Sequence, residues 1–276
     1  MTDFQEYLHA KRAVDDRALN RRVLDCLRDE LPDRSLEAVE IGAGVGTGIT
    51  RLLDRGVLPE TVSYTAIDYQ PENIAAAREH LLERDFTEDR DRLRRGGSTV
   101  SLVIGDGLEL VDNEQYDLLI AQAVLDLVDL DSALPPLFES ISPGGLAYFP
   151  ITFDGGTIFD PAHLLDERIF DLYHRDMDRE GSSRTGRRLF SAIPAAGGEI
   201  LAAGSSDWVV YPPYSSDERR FLSHILDIIE NALADGAVGE ELGEWLETRR
   251  KQLESEELTY IAHQLDVLCR VSYSVT

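Results

Sequence analysis

Lysine is nearly missing from this sequence. Lys11 and Lys251 are the only two, and every other strong cation is an arginine. Cysteine is equally sparse: Cys26 and Cys269 stand far apart with no CxxC partner. Both read as small buried hydrophobes rather than redox groups or ligands. No apolar run approaches the ~20 residues that a helix needs to cross a bilayer. The start, Met1-Thr2-Asp3-Phe4-Gln5-Glu6, lacks the basic-then-apolar pattern of a signal peptide, so the expected compartment is the cytoplasm. The histidines (His9, His80, His163, His174, His224, His263) are scattered without zinc or haem spacing, and no metal is expected. Internal repeats and low-complexity tracts are absent.

What is abundant is negative charge. Asp and Glu number 52 against 27 Lys and Arg, a net charge of −25 over 276 residues. Such a field repels nucleic-acid phosphates and anionic membranes, so the expected partner is a small molecule. Arg184, Arg187 and Arg188 form a local basic exception. The surplus acid reads as a generally solvated surface or, more sharply, as adaptation to a salty cytoplasm, in which acidic surfaces keep proteins soluble and lysine is disfavoured. A chain of this length buries roughly three quarters of its unfolded surface and so has a full core.

Hydrophobic periodicity predicts a helix over 3–31, stopped by Pro32. Short apolar strands follow at 38–42, 63–68, 99–105, 116–123 and 146–152. Between them lie helices at 47–55, 71–83 and 132–141. The charged stretch 84–97 reads as a solvated helix end and loop. Beyond 152 the pattern loosens. Short strands are expected at 199–203 and 208–211, amphipathic helices at 216–233 and 240–253, and a last strand at 259–271. Strands alternating with helices, most of them continuous apolar runs, predict a mostly parallel α/β sheet. The whole chain reads as one domain, with 153–197 and 214–256 as a cap over the carboxyl edge of the sheet.

The first strand runs into Val39-Glu40-Ile41-Gly42-Ala43-Gly44-Val45-Gly46-Thr47-Gly48 and then a helix. Glycines let the backbone turn sharply and let a ligand approach, and the helix start offers free N–H groups. The dinucleotide pattern G-x-G-x-x-G fails in both registers: the sixth position is Thr47 counted from Gly42, and Ile49 counted from Gly44. Asp68, at the end of the next strand, is placed to accept ribose hydroxyls, which alone would also suit a nicotinamide cofactor. Leu102-Val103-Ile104-Gly105-Asp106-Gly107 ends the third strand, and Tyr116-Asp117-Leu118-Leu119-Ile120-Ala121-Gln122-Ala123-Val124-Leu125 carries Gln122 near the end of the fourth. Ser142-Pro143-Gly144-Gly145-Leu146 precedes the fifth.

In order and spacing these segments resemble the class I S-adenosylmethionine-dependent methyltransferases. The resemblance covers 39–146 in detail and fades afterwards. It implies a Rossmann-like, doubly wound, seven-stranded sheet with a late antiparallel strand. It also implies S-adenosylmethionine as cofactor, methyl transfer as the reaction and a small molecule as the acceptor. It assigns Glu40, Gly42, Ala43, Gly44 and Gly46 to the methionine part, Asp68 to the ribose and Tyr69 to the adenine face. Asp106 falls to the adenine amino group, Gly107 to the space beside the ring and Gln122 to the sulfonium. An oxygen or nitrogen acceptor can also need a base. His163, His174, Asp126, Tyr148 and Tyr211 are candidates, and no single one is singled out. Tyr211-Pro212-Pro213-Tyr214 lies far from the end of the fourth strand and reads as a turn rather than a base-methylation motif. Two competing readings remain: a nicotinamide-dependent oxidoreductase, and a non-catalytic cofactor-binding protein on the same scaffold.

Overall fold

The computed structural model describes residues 3–111, 115–234 and 238–271. Met1 and Thr2 of the polar start lie outside them. The helix expected over 3–31 is two helices, α1 (Asp3–Ala18) and α2 (Arg21–Glu30). Asn20 makes the break. Its side chain accepts from Val23 N–H at 3.2 Å and caps α2. Capping and apolar periodicity compete here. The period runs on through Leu19, Val23 and Leu27, but the backbone turns at the cap.

The sheet is built from β1 (Leu36–Ile41), β2 (Val62–Asp68), β3 (Thr87–Asp89), β4 (Arg92–Arg95), β5 (Ser98–Ile104), β6 (Tyr116–Ala121), β7 (Ile141–Asp160), β8 (Gly198–Ser205), β9 (Trp208–Val210) and β10 (Thr259–Val271). Their order is β3-β4-β5-β2-β1-β6-β7-β10-β8, with β9 paired to β10 off this path. β5, β2, β1, β6 and β7 run parallel, while β10 is antiparallel to both β7 and β8. This is the doubly wound, mostly parallel sheet with a late antiparallel strand. Its seven central strands are joined by an antiparallel hairpin, β3–β4, which pairs along β5. The hairpin replaces the loop expected at 84–97. Its charged residues hid it, because only Leu93 is buried among the residues of β3 and β4. Arg95 ties it down, stacking over Phe86 and pairing with Asp54 at 3.0 Å.

Helices cover both faces, so the strands are buried on both sides and their apolar residues alternate between two cores. Ala38, Tyr64, Ala66, Leu118, Ile120, Leu146 and Tyr148 pack with α1, α2 and α3 (Thr47–Asp54). The same core takes in α9 (Ser216–Leu233) and α10 (Gly239–Glu254). Val39, Ile41, Ile67, Leu119, Ala121, Ala147 and Phe149 face the other way, onto α6 (Leu130–Glu139) and α8 (Thr185–Ala195). Two further helices follow strand ends: α4 (Pro71–Leu82) after β2 and the short α5 (Gly107–Leu110) after β5.

β7 continues well past the expected end at residue 152. Its last third pairs with β10. That extension carries Phe159 into an aromatic cluster with Phe170, Trp245 and Tyr260. Phe170 belongs to α7 (Asp166–Met177), and Trp245 to α10. Between the two helices, Trp245 Nε1 donates to Asp166 at 2.7 Å, and the fully buried Arg249 donates to the same carboxylate and to Pro161 O. Of the segments expected to cap the sheet, α7, α9 and α10 therefore gather around the β7–β10 extension. By contrast, α8 lies on a sheet face.

Candidate functional site

A cavity of about 940 Å³ opens at the carboxyl ends of β1, β2 and β6, where ligands enter open parallel sheets. Its floor is the loop Gly42–Gly46. Gly42, Gly44 and Gly46 all have positive φ (66°, 55° and 73°), which L side chains rarely adopt. Gly46 is the residue before α3, and no side chain caps that helix. Its first N–H groups are thus left for a ligand or solvent. A β-carbon at Gly42 would stand 2.4 Å from Val124 Cγ2, so the loop also passes hard against the turn after β6.

Glu40 lies under this loop, 2 % exposed, and lines the cavity. Tyr64 Oη donates to it at 2.8 Å. Burial pushes its carboxyl up to about 7, against the opposing pull of Tyr64 and Arg51. Gly48 makes room for it: a β-carbon there would come within 2.1 Å of Glu40 Oε1. Asp68 is buried and also lines the cavity. Its Oδ2 accepts from Gly44 N–H at 2.8 Å. Its Oδ1 accepts from Gln70 N–H at 2.9 Å and Asn73 Nδ2 at 3.0 Å. One carboxylate thus fixes the glycine loop and the start of α4 together, with lone pairs left at Oδ2.

Tyr69 and Asp106 are placed differently, outside the lining of the cavity. Tyr69 is 71 % exposed. Asp106 is exposed, and its Oδ1 accepts from Leu108 N–H at 2.9 Å as the cap of α5. Gly107 packs on β1, where a β-carbon would stand 2.7 Å from Ile41 Cβ. Ile104, at the end of β5, is 54 % exposed. Together these residues form a shelf on the sheet edge next to Asp68.

Gln122 does line the cavity, and it is already engaged. Its Oε1 accepts from Arg51 Nη1 at 2.8 Å, and its Nε2 donates to Asp15 Oδ2 at 3.0 Å. Asp15, buried on α1, also accepts from Lys11 Nζ at 2.9 Å and Trp208 Nε1 at 2.9 Å. Lys11 lies over the Trp208 ring at 5.0 Å. This hub joins α1, α3, β9 and the end of β6 at the cavity wall. Periodicity could not reveal it, because Lys11 and Asp15 at i,i+4 look like an ordinary solvated pair.

Of the five candidate bases, Asp126 alone lines the cavity. Tyr148 is buried and donates to Asp266 at 3.1 Å. Tyr211 is 62 % exposed, beside the turn that holds Pro212 and Pro213. His163 shapes the start of α7, its ring nitrogen accepting from Leu165 N–H at 3.2 Å. His174 meets Thr157 Oγ1 at 3.0 Å, and burial lowers its pKa. Among the described residues, no cluster of three or more His, Cys, Asp or Glu side chains is arranged to hold a metal. No described helix is long and apolar enough to cross a membrane.

Residues 39–149 match the family model described as a methyltransferase domain. A malonyl-[acyl-carrier protein] O-methyltransferase from Priestia megaterium (strain DSM 319 / IMG 1521) is 28 % identical over 142 residues. That stretch is 51 % of this chain and 45 % of the relative, so the match spans less than half of the relative's length. Among solved structures, YjhP from E. coli superposes with a TM-score of 0.53 at 17 % identity, over 98 % of this chain and 100 % of its own. A SAM-dependent methyltransferase from Geobacter sulfurreducens, crystallised with S-adenosyl-L-homocysteine, gives 0.51 at 16 % identity, over 91 % and 92 %. At such identities the likeness is one of fold, and the fold is the Rossmann-like one of class I methyltransferases.

The residues at the cavity floor suit a cofactor with a cationic amino-acid end and a nucleoside end. Among the described residues, Glu40 accepts from Tyr64 and is in hydrogen-bond contact with no buried cation. The uncapped start of α3 offers N–H groups. Asp68 has acceptor capacity to spare, and an exposed apolar shelf adjoins it.

Proposed function

We propose that the protein is an S-adenosylmethionine-dependent methyltransferase acting on a small molecule. The observation that carries this reading is the arrangement of Glu40, the Gly42–Gly46 loop and Asp68 around one cavity, within the stretch that matches the methyltransferase-domain model. When bound, the cofactor supplies a methyl group on a sulfonium, already activated for displacement. The protein's share is to bind, orient and exclude water. Glu40 would face the methionine ammonium, while the N–H groups at the uncapped start of α3 would take its carboxylate. Asp68 would accept from the ribose through Oδ2, and the exposed side chains of Tyr69 and Ile104 would hold the adenine. Asp106 would accept from the adenine amino group, and Gly107 lets the start of α5 pack close to β1 beside that position. Gln122, clamped by Arg51 and Asp15, presents the wall nearest the sulfonium. Failure of the G-x-G-x-x-G pattern, together with the buried Glu40, weighs against a nicotinamide cofactor.

The acceptor enters beneath a cap within a single domain. Phe153, Thr157, Tyr173 and Met177 from 153–197, with Ile225 and Ile228 from 214–256, line the outer cavity and support this reading. The net charge supports a cytoplasmic, salt-adapted protein that does not bind nucleic acid.

Isothermal calorimetry tests the cofactor directly. S-adenosylmethionine and its demethylated product should bind in the micromolar range, and Asp68→Ala should abolish that binding. Absence of heat with the wild-type protein, or enhancement of NADH fluorescence instead, overturns the reading.

A further inference from the structure

Beyond the cofactor floor, the cavity is walled by Tyr7, Phe153, Tyr173, Trp208 and Tyr260, and two buried polar atoms there have no hydrogen-bond partner: Asp126 Oδ1 and Gln264 Oε1. Gln264 is 2 % exposed. A buried acceptor without a donor is costly unless a ligand completes it. Asp126 is also held rigidly. It lies in the 3-10 turn Leu125–Leu127 that follows β6, and its carbonyl accepts from Ser182 N–H at 3.0 Å. Gly181 presses so closely that a β-carbon there would stand 2.0 Å from that carbonyl oxygen. The backbone at Asp126 is therefore held from behind, and the residue lines the cavity.

The cations near this wall are already spent. Lys11 pairs with Asp15 at 2.9 Å, and Arg179 with Asp176 at 2.6 Å while pointing largely into solvent. Among the described residues that line the cavity, an anionic acceptor would find no unpaired positive charge, and Asp126 would repel it.

Resting on the methyltransferase reading, we propose that Asp126 is the catalytic base for a non-anionic acceptor, an amine or a hydroxyl compound with a flat apolar body. The acceptor's N–H or O–H points at Asp126 Oδ1, the Gln264 amide holds a second polar group, and the aromatic walls take the body. The acceptor's lone pair forms the new bond to the methyl carbon as the carbon–sulfur bond breaks. The sulfonium becomes a neutral thioether, and the acceptor's proton passes to the Asp126 carboxylate. Burial raises the proton affinity of this carboxyl, to a pKa of about 6, which suits a base working near neutrality. The charged and titratable groups around it are Tyr7 and Lys11 from α1, Tyr173 and Asp176 from α7, and Arg179 and Glu180 just after α7.

The test uses the wild-type protein, Asp126→Asn and Asp126→Glu with saturating S-adenosylmethionine. The acceptors are amines, phenols and carboxylic acids of matched skeleton, such as 2-phenylethylamine, 4-ethylphenol and 3-phenylpropanoate and their larger homologues. Release of the thioether product is read, and cofactor affinity is measured separately by calorimetry. Turnover should occur with amines or phenols only. Asp126→Asn should lower kcat/KM by about a hundredfold or more and remove the acidic limb of the pH profile, with cofactor affinity and melting temperature unchanged. Asp126→Glu should recover part of the rate. Turnover of the carboxylic acids, full activity in Asp126→Asn, or cofactor binding with no turnover of any amine or phenol overturns the proposal. Loss of cofactor binding in the wild-type protein would instead overturn the methyltransferase reading.

Discussion

Glu40 and Asp68 are both buried acids at the ends of adjacent strands, yet they are satisfied differently. Asp68 accepts three donors from its own chain. Glu40 has Tyr64 Oη as a donor, and desolvation dominates its titration. Its carboxyl rises from 4.5 to about 7, so the folded chain holds this proton more tightly than the unfolded chain does. Its contribution to stability is therefore lost as the pH climbs through that window, by about 3 kcal/mol in all. Glu40→Gln keeps the shape and removes the charge. Urea unfolding of the cofactor-free protein at pH 5 and pH 8 should show the variant gaining on wild type by about that amount. A pH-independent difference would mean that the carboxylate is better solvated than its burial implies. Gly48 belongs to the same residue-scale logic, since even a methyl group there collides with Glu40. Unfolding of Gly48→Ala should show a loss of roughly 1–3 kcal/mol from overpacking.

Among the elements, the α1–α2 break has the widest consequences. It lets α1 pack against α9 and β9, which brings Tyr7, Lys11 and Asp15 to the cavity. A single helix over 3–31 would carry those residues elsewhere. Asn20 secures the break from three directions. It caps α2, its Nδ2 donates to Ser205 O at 2.9 Å, and its backbone N–H donates to the buried Asp266 at 2.8 Å. Asp266 also accepts from Ile151 N–H at 2.9 Å, where β7 adopts φ +56° at a β-branched residue lining the cavity. Asn20→Ala should cost about 1–2 kcal/mol through the lost cap, read as a lower denaturant midpoint with an unchanged m-value. A drop in m-value would mean that the α1–α2 boundary itself had reorganised.

Over the whole molecule, the surplus of negative charge lies outside the core. Many of the acids sit in exposed ion pairs such as Lys251–Glu247 and Arg28–Asp25, each worth little in isolation. Self-repulsion of the surplus is long-ranged and is screened by salt. The melting temperature should therefore rise between 0.1 and 2 M KCl, by at least about 3 °C, or roughly 1 kcal/mol for a chain of this size. A midpoint that stays constant or falls would count against salt adaptation and leave the acidic surface as mere solubility.

The parallel sheet, the glycine loop and the strand-end acids were legible in the sequence because each rests on local pattern. Continuous apolar runs make buried strands, and glycines between a strand and a helix make a tight turn. The β3–β4 hairpin was not legible, because Arg92, Arg94 and Arg95 carry the polarity of a loop and the hairpin is held by pairing along β5. Nor was the outer wall of the cavity, which draws Lys11 and Asp15 from one end of the chain and Trp208, Tyr260 and Gln264 from the other. Five residues suited a base, and only folding left Asp126 lining the cavity with an unpartnered oxygen. Sequence alone determined the kind of loop and sheet, through short-range sterics and hydrophobic period. Tertiary structure decided which polar groups are buried together, because burial and partnership depend on contacts between segments hundreds of residues apart.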